Sequence, residues 1–348
     1  MSEFDEYIRQ GEPGRSEKAA AWQVAIGLQD VDGLKPSAYL VDTAKRHIEG
    51  DITLDQVKGL LDTYYKSKQG RQSAEEARMK EADMVSARIT ELLQENAFSF
   101  TPAEYQRIHR KLFAGIFKFA GKYRDYNISK KEWVLDGASV LYNPFENLKE
   151  TLDYDFSEER KYDYASASTE EAIRHIASFI AGVWQIHPFG EGNTRTTAVF
   201  LIKYLRSFGF AINNDLFAAH SWYFRNALVR ANYFNRNEGI TPDLTFLVFF
   251  LRNLVLGEDN ELKNRYLHVS YQSDITRAPK GQIDTFNVTL EERAVLTCIS
   301  QNNRSTQKEI ALAIGKSERT VKRIMASLSE KGIIIRKNGK RNGYWDVL

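Results

Sequence analysis

Two helical patterns of apolar residues flank a short polar stretch near the middle of the chain. In the first pattern, apolar residues recur at three- and four-residue steps, at Ile173, Ile176, Ile180 and Val183. Residues 198–205 repeat the spacing. Between them lies His-Pro-Phe-Gly-Glu-Gly-Asn-Thr-Arg, residues 187–195. Because Pro188 cannot continue a helix, we predict a helix that ends near His187, a tight loop, and a second helix that begins near Asn193.

The predicted loop combines residue types suited to nucleotide phosphate chemistry. The free N–H groups and the positive dipole end of the second helix would face the loop and favour an anion. His187 supplies a base, Glu191 a carboxylate ligand for a metal, and Asn193 and Arg195 supply donors for phosphate oxygens. A solvated structural loop would not need this polar set between two apolar helices.

The same patterns predict a mainly helical chain. Helices are expected at 16–29, 38–48, 53–65, 74–94, 102 to near 121, 170–186, 193–205, 221–233, 241–256, 290–300, 306–314 and 317–330. Two β-prone runs around Asp136-Gly137 predict a hairpin over 123–142, and 332–336 and 343–347 read as two strands. We expect a mobile start at 1–15, an acidic loop at 153–168 and a turn at 213–218.

Composition places the chain among ordinary globular proteins. It has 348 residues, 43% of them hydrophobic and 27% charged, and a net charge of +2. One cysteine, Cys298, excludes an intramolecular disulfide and a multi-cysteine zinc site, and is typical of a reducing compartment. Without an apolar leader or an uninterrupted apolar run of spanning length, we expect a cytoplasmic protein and no membrane partner.

Residues 187–195 resemble the Fic signature, His-Pro-Phe-x-Asp/Glu-Gly-Asn-Gly/Lys-Arg-x-x-Arg. Most Fic enzymes transfer AMP from ATP to a Ser, Thr or Tyr hydroxyl of a protein. The resemblance implies that His187 is the catalytic base, with Asn193 and Arg195 beside it, and that Glu191 holds Mg²⁺. It implies nucleotide binding by the loop residues Phe189, Gly190, Gly192, Asn193, Thr194 and Arg195.

Two positions depart from that signature. Thr194 stands where AMP transferases usually have Gly and Doc-type kinases have Lys, and Ala198 stands where the second Arg would contact the γ-phosphate. A β-branched residue narrows the approach to the backbone, and the loss of a guanidinium removes a bidentate phosphate donor. AMP transfer still fits best, because the base, the metal ligand, the Asn and the first Arg are present.

The first three predicted helices resemble the small antitoxins that pair with some Fic toxins. In that family a Ser/Thr-x-x-x-Glu-Gly/Asn helix inserts its Glu against the second Arg. Here the corresponding inhibitory motif is degenerate, with Leu28 at the Ser/Thr place and Asp32-Gly33 at the Glu-Gly place, and its partner is absent at Ala198. We therefore expect weak or absent inhibition by this route. A simple packing cap is the alternative.

The resemblance assigns two further regions. Fic enzymes carry a flap that pairs with the target's backbone, which would use Lys130, Lys131, Glu132, Trp133 and Val134 as the docking edge. A purely structural hairpin is the alternative. The helix over 221–233 would line the adenine pocket with Tyr223, Asn226 and Tyr233, although aromatic residues at helical spacing are more often core.

The C-terminal residues resemble a winged helix-turn-helix. From Arg304 to Leu348 there are eleven Lys/Arg and four Asp/Glu, so positive charge concentrates here. The residues expected to contact DNA are Ser317, Arg319, Thr320, Lys322 and Arg323. A protein-docking module with a solvated basic face is the alternative.

We therefore expect a mainly α fold: a Fic helical core with a β-hairpin flap, plus a C-terminal winged helix domain. The domains would be an antitoxin-like cap at 1–66, the Fic catalytic core at 67–265, a linker at 266–285 and the winged helix-turn-helix at 286–348. The leading function is a protein adenylyltransferase that uses ATP and Mg²⁺ to modify a target protein, with modification of itself left open. Other phosphate transfer, removal of AMP, or a DNA-binding regulator with a nucleotide-sensing core are the alternatives, and a homodimer is left open.

Overall fold

A computed structural model describes residues 3–10, 12–67, 73–210, 212, 215–271, 288–338 and 343–348. In these residues the chain is mainly helical. The α-helices are α1 (Asp5–Arg9), α2 (Pro13–Gly27), α3 (Ala38–Glu49), α4 (Leu54–Ser67), α5 (Ala74–Gln94), α6 (Pro102–Phe113), α7 (Leu148–Lys161), α8 (Thr169–Ile186), α9 (Asn193–Ser207), α10 (Leu216–Asn232), α11 (Thr245–Leu256), α12 (Leu290–Gln301), α13 (Gln307–Ala313) and α14 (Glu318–Glu330).

Helices α8 and α9 form the centre of the molecule. The apolar face predicted for α8 is buried, and residues 193–205 of α9 are all buried. Helix α9 packs between α5, α6 and α8, while α7 and α10 pack against α8. The loop between α8 and α9 is therefore held from several sides by helices that are distant in the sequence.

The first four helices form a separate small core on top of α5. Its buried residues include Trp22, Leu40 and Leu61. Trp22 Nε1–H donates a hydrogen bond of 3.0 Å to Nδ1 of the buried His47. A 3-10 turn (Leu28–Asp32) follows α2 and ends at Gly33, which adopts the left-handed conformation with φ 61°. This turn contacts α9 and so brings the N-terminal segment to the central helices.

Three expected irregular segments are helical. Residues 153–168 were expected to be a loop, but α7 occupies most of them, because Leu148, Leu152 and Phe156 form a buried face at four-residue spacing. Residues within 1–15 were expected to be mobile, but α1 is formed and Phe4 is buried. The turn expected at 213–218 is in part the start of α10.

Helix α6 and the flap also differ from expectation. Helix α6 ends at Phe113 rather than near residue 121, since Gly115 takes a positive φ of 71° soon after it.

The flap, residues 127–143, forms a hairpin-like turn and not a two-stranded ladder. Its strands are replaced by a 3-10 turn (Trp133–Leu135), because Val134 and Leu135 point into the core and are buried.

The C-terminal domain contains α12, α13 and α14 and an antiparallel pair of strands, β1 (Ile334–Lys337) and β2 (Tyr344–Val347). It packs on the central domain, where Thr169 Oγ1–H donates to the carbonyl of Val288 at 2.7 Å. The linker predicted at 266–285 lies partly outside the described residues, and so does the tip of the wing. Residues 68–72, between α4 and α5, also lie outside them. Within the described ranges, no helix is both long and apolar enough to cross a membrane.

Candidate active site

The loop between α8 and α9 is closed by two residues with positive φ. His187 ends α8 at φ 49°, and Gly192 precedes α9 at φ 81°. No side chain caps the N-terminus of α9, so the first N–H groups of this helix face the loop with the positive end of the helix dipole. The structure therefore has the anion-binding geometry that the sequence predicted.

Gly192 leaves no room for a side chain, because a Cβ there would lie 2.3 Å from the ring of the buried Phe113. Gly192 also needs its positive φ, which glycine adopts without cost. A Cβ at Gly190 would lie 2.7 Å from the hydroxyl of Tyr126, the end of a half-exposed side chain that can move. The tight backbone path around the loop therefore depends on Gly192.

His187 has the protonation and the free atom that a general base requires. Its Nδ1 lies 3.2 Å from the carbonyl of Trp184, which can only accept, so Nδ1 carries the proton. The other ring nitrogen, Nε2, is buried and has no hydrogen-bond partner in the described structure. Burial and the nearby charge of Lys130 hold the pKa of His187 well below its ordinary value. The imidazole is therefore neutral, with a free lone pair on Nε2.

Aromatic rings fix the orientation of the His187 ring. The ring of Tyr142 lies 4.4 Å from it and the ring of Trp184 lies 5.2 Å from it, measured between centroids. Tyr142 comes from the flap and hydrogen-bonds to the buried carboxylate of Glu132 at 3.4 Å. Nothing in the sequence marks Tyr142 as a site residue except its place at the end of the flap.

Asn193 and Phe189 hold the loop together. The Asn193 amide donates to the Phe189 carbonyl at 2.8 Å and accepts from the Phe189 N–H at 3.1 Å. The Phe189 ring is fully buried. Both the NH2 group and the oxygen of the Asn193 amide therefore bond to the Phe189 backbone, and in this structure Asn193 shapes the loop.

His109 is a second loop-positioning residue that the sequence analysis did not identify. Its Nδ1 accepts from the N–H of Gly121 at 2.8 Å, so Nε2 carries the proton and donates to the Glu191 carbonyl at 3.0 Å. Its ring stacks on Phe189 with centroids 3.7 Å apart. Burial lowers the pKa of His109 to about 4, which keeps it neutral and able to make both bonds.

Arg124, also missed, clamps the end of α8. Its guanidinium donates to the carbonyls of His187 at 2.8 Å and of Ile186 at 3.3 Å. It also donates to the carbonyl of Tyr126, just before the flap, and to the carbonyl of Asn143, the last residue of the flap. One buried side chain therefore ties both ends of the flap to the base-bearing turn.

Glu191 is the accessible carboxylate of the loop. Its side chain is 54% exposed, and its Oε2 lies 3.0 Å from Nζ of Lys130 on the flap. In the described part of the chain, no three His, Cys, Asp or Glu side chains gather into a metal site. Mg²⁺ is commonly bound by one or two carboxylates together with substrate phosphates, and an exposed single carboxylate beside an anion-binding helix end fits that pattern.

Arg195 is buried, and two carboxylates and an amide from distant parts of the chain lie against its guanidinium. Asp32 contacts Nε as an ion pair without a hydrogen bond. The Nε of Arg195 lies 2.8 Å from Asp32 and its Nη2 lies 2.6 Å from Glu81 on α5. Its Nη1 donates to Gln29 at 3.0 Å, and the guanidinium lies 4.8 Å from the Phe113 ring centroid. Asp32 thus contacts Arg195, whereas the sequence analysis considered position 198 as its partner.

The two departures from the signature are accommodated inside the protein. Thr194 is buried, and its Oγ1 accepts a hydrogen bond of 3.0 Å from Trp184 Nε1–H. Ala198 is completely buried in α9. Of the inhibitory-motif residues, Leu28 is buried in the core and Gly33 ends the 3-10 turn that carries Asp32.

The five flap residues do not share one environment. Glu132 is buried and forms an ion pair of 2.6 Å with Arg225 of α10. Val134 is buried, and its carbonyl accepts from Val269 N–H at 2.9 Å. Lys130 is partly buried against Glu191, while Lys131 is exposed and Trp133 is 52% exposed.

The three adenine-pocket candidates are buried and have partners. Tyr223 donates to the Phe246 carbonyl at 3.3 Å, and the Asn226 amide donates to Asn264 at 2.8 Å. The Tyr233 hydroxyl accepts from Asn235 at 3.2 Å. Their part in binding adenine stays a prediction.

The recognition-helix candidates form an exposed basic surface at the start of α14. Arg319, Lys322 and Arg323 are exposed. Ser317 caps the helix by accepting from the Thr320 N–H at 3.2 Å, so these two residues shape the helix end.

Two comparisons with known proteins agree with this architecture. Residues 99–205 match the model of the Fic/DOC family, and residues 292–335 match the model described as winged helix-turn-helix DNA-binding. Over 134 residues the chain is 31% identical to the probable protein adenylyltransferase y4lH of Sinorhizobium fredii (strain NBRC 101917 / NGR234). The match covers 38% of this chain and 65% of that relative.

Proposed function

Because the chain carries a Fic domain at residues 99–205 and a winged helix-turn-helix domain at residues 292–335, we propose that it is a protein adenylyltransferase. It would move AMP from ATP to a Ser, Thr or Tyr hydroxyl of a protein. The observation that carries the proposal is His187, a neutral buried imidazole that stands at an anion-binding loop and whose Nε2 has no partner among the described residues. A hydroxyl placed at that nitrogen would find a proton acceptor and a phosphate site together.

In the proposed reaction the acceptor oxygen attacks the α-phosphorus of ATP. The bond from that phosphorus to the oxygen bridging the α- and β-phosphates breaks, and pyrophosphate leaves with the electron pair. Nε2 of His187 takes the hydroxyl proton, and the carbonyl of Trp184 stabilises the imidazolium through Nδ1–H. The N–H groups at the start of α9 bind phosphate oxygens.

Glu191 is the residue that would hold Mg²⁺, which neutralises phosphate charge when bound. Its side chain is exposed to solvent and has Lys130 as its partner. His109 donates to the Glu191 carbonyl, and Asn193 fixes the backbone of Phe189 in the same loop.

The test is to follow where two labels of ATP go. The purified full-length protein is incubated with a cell lysate, Mg²⁺ and ATP labelled at either the α- or the γ-phosphate. We expect protein-bound α-label on a lysate protein or on the chain itself, above the label that the lysate acquires alone, and no such increase with γ-labelled ATP. An increase in γ-label caused by the added protein would show a kinase instead, and the absence of either increase would contradict nucleotidyl transfer.

We further propose that the flap residues 128–131 present a backbone edge to the target. Lys130 N–H donates to Ser139 and Glu132 N–H to the Ala138 carbonyl, so alternate residues face inward. Ser129 and Lys131 face the other way along this extended stretch and are exposed. A target segment could add there as a strand, with Trp133 beside it as an exposed apolar contact.

Replacing Lys131 with Pro removes one outward N–H and is expected to raise the KM for the protein target by about 2- to 10-fold, the value of one hydrogen bond. Lys131→Ala keeps the N–H and is the matched control for loss of the side chain. The measurement is the initial rate of AMP transfer as a function of target concentration. Equal KM values for the two variants would argue against backbone pairing at this edge.

The winged helix supports a second activity, which we propose to be DNA binding. The exposed basic residues at the start of α14 have the placement of a recognition helix. Residues 304–348 have eleven Lys/Arg against four Asp/Glu, whereas the whole chain has a net charge of only +2. The interface with the central domain leaves Arg319 and Lys322 exposed.

Replacing Arg319 and Lys322 together with Ala is expected to weaken binding to duplex DNA. The slope of log affinity against log salt should fall by about 0.9 for each phosphate contact that is lost. Binding is measured by fluorescence anisotropy over a range of salt concentrations. Lys118→Ala, at an exposed lysine of the Fic domain, should leave affinity and slope unchanged. If it weakens binding as much as the double variant, the winged helix is not the binding surface.

We also propose that the N-terminal segment restrains the site through Arg195. Asp32 and Gln29 of the 3-10 turn lie against the buried guanidinium of Arg195, and Glu81 of α5 pairs with its Nη2. A phosphate that binds Arg195 would have to compete with these contacts. This is the opposite of the weak inhibition expected from the sequence, and it rests on a contact with Arg195 rather than with position 198.

A further inference from the structure

The positively charged side chains around the loop differ in the groups with which they are already paired. Arg195 is held by two carboxylates and an amide, and Arg225 is paired with the buried Glu132. Arg124 donates to four backbone carbonyls. Lys130 differs from these arginines, because its ammonium group is paired with the loop carboxylate Glu191, at 3.0 Å, and is partly exposed to solvent.

We propose that Lys130 of the flap is a phosphate-binding residue of this site, which contacts the β- or γ-phosphate of a bound nucleoside triphosphate. It would supply the positive charge that is absent at Ala198 and that Arg195 does not offer. The inference rests on the proposed function and names a nucleotide-binding residue that the loop motif does not contain.

The flap places this ammonium group where phosphates must lie. Lys130 Nζ contacts the loop beside the N-terminus of α9, which is the expected position of an anion. Its charge is also close enough to His187 to contribute to the lowered pKa of that ring. A single ammonium group therefore lies near both the base and the carboxylate ligand.

The Lys130 side chain can leave its ion pair with Glu191 and contact a phosphate instead. It is 26% exposed, and its flexible four-carbon stem ends in three donors, so it can turn from one anion to another nearby. The backbone remains fixed meanwhile, because Lys130 N–H donates to Ser139 Oγ at 3.1 Å. Glu191 then becomes free to hold a cation while Lys130 contacts the nucleotide.

The experiment measures binding without chemistry. The affinities of the full-length protein for ATP and for adenosine are measured by isothermal titration calorimetry with EDTA and no added metal. The variants are Lys130→Met, Lys130→Arg and Lys122→Met, the last at an exposed lysine of the segment before the flap. Lys130→Met keeps the length of the side chain and removes its charge.

We expect Lys130→Met to weaken ATP binding about 5- to 10-fold and to leave adenosine binding unchanged, because adenosine has no phosphate. Lys130→Arg should restore most of the ATP affinity, and Lys122→Met should match the wild type for both ligands. Unchanged ATP affinity in Lys130→Met would overturn the inference, as would an equal loss for adenosine or a wild type without affinity for ATP.

The outcome is separable from that of the proposed function. A wild-type protein that binds ATP through Lys130 but never transfers AMP would overturn adenylyl transfer and leave the role of Lys130 standing. In an active protein, Lys130→Met should raise the KM for ATP by a larger factor than it lowers kcat. A lower kcat with unchanged KM would instead indicate a role in orienting His187 and would overturn phosphate binding.

Discussion

A full-length protein with His187 replaced by Asn is expected to transfer AMP about 100- to 10,000-fold more slowly than the wild type, the usual contribution of a general base. Asn is the informative substitution because position 187 has a φ of 49°, a left-handed conformation that Asn tolerates better than Ala. The loop backbone should therefore persist while the proton acceptor is lost. The measurement is the initial rate of label transfer from α-labelled ATP at pH 7.5.

The wild-type His187 is already neutral at that pH, since burial and Lys130 keep its pKa well below the ordinary value. Loss of rate in the variant is therefore loss of a base and not a change in a titration. His220→Asn is the control, because His220 lies in α10 and not in the loop, and it should keep the wild-type rate. A His187→Asn protein with an unchanged melting temperature and a rate within about threefold of the wild type would refute the role of His187.

The loop itself could be predicted because its shape is specified within nine residues. Pro188 ends α8, Gly192 supplies the positive φ before α9, and the apolar faces on either side are visible as periodicity. These are local rules that tertiary contacts reinforce. The matches to the Fic/DOC and winged helix-turn-helix models, at residues 99–205 and 292–335, agree with two assignments that rested on such local signals.

The supporting contacts could not be predicted because they join residues that are far apart in the sequence. Gln29 is 166 positions from Arg195, and His109 is 82 positions from Glu191. Gln29 stands at an unspecified position of the degenerate inhibitory motif, between Leu28 and Asp32, and a single buried histidine on a helix has no sequence signature of its own. Only the packing of α6 and of the turn after α2 against α9 brings these groups to the loop.

The flap shows where local propensity misleads. Trp133, Val134 and Leu135 favour a strand, yet the chain turns there, because the burial of Val134 and Leu135 outweighs the hydrogen bonds of a ladder. Helix α7 shows the converse error. Its acidic residues suggested a loop, although Leu148, Leu152 and Phe156 were spaced for a buried helical face.

Replacing Asp32 with Ala is expected to increase the rate of AMP transfer by about 10- to 30-fold. The substitution removes the carboxylate that lies 2.8 Å from Nε of Arg195 and lets that guanidinium turn toward a phosphate. Glu81 remains 2.6 Å from Nη2, so the buried charge keeps a partner and the fold should persist. The rate is measured with α-labelled ATP at concentrations well below the KM.

Asp30→Ala is the matched control, since Asp30 lies in the same 3-10 turn but is exposed to solvent. It should have the wild-type rate, which would separate the loss of the Arg195 contact from a general loosening of the turn. An Asp32→Ala protein no faster than Asp30→Ala would show that the N-terminal segment only packs against α9. A faster Asp32→Ala protein whose gain disappears in Asp32→Ala/Arg195→Gln would show that the released guanidinium itself binds the nucleotide, because only then does the gain depend on Arg195.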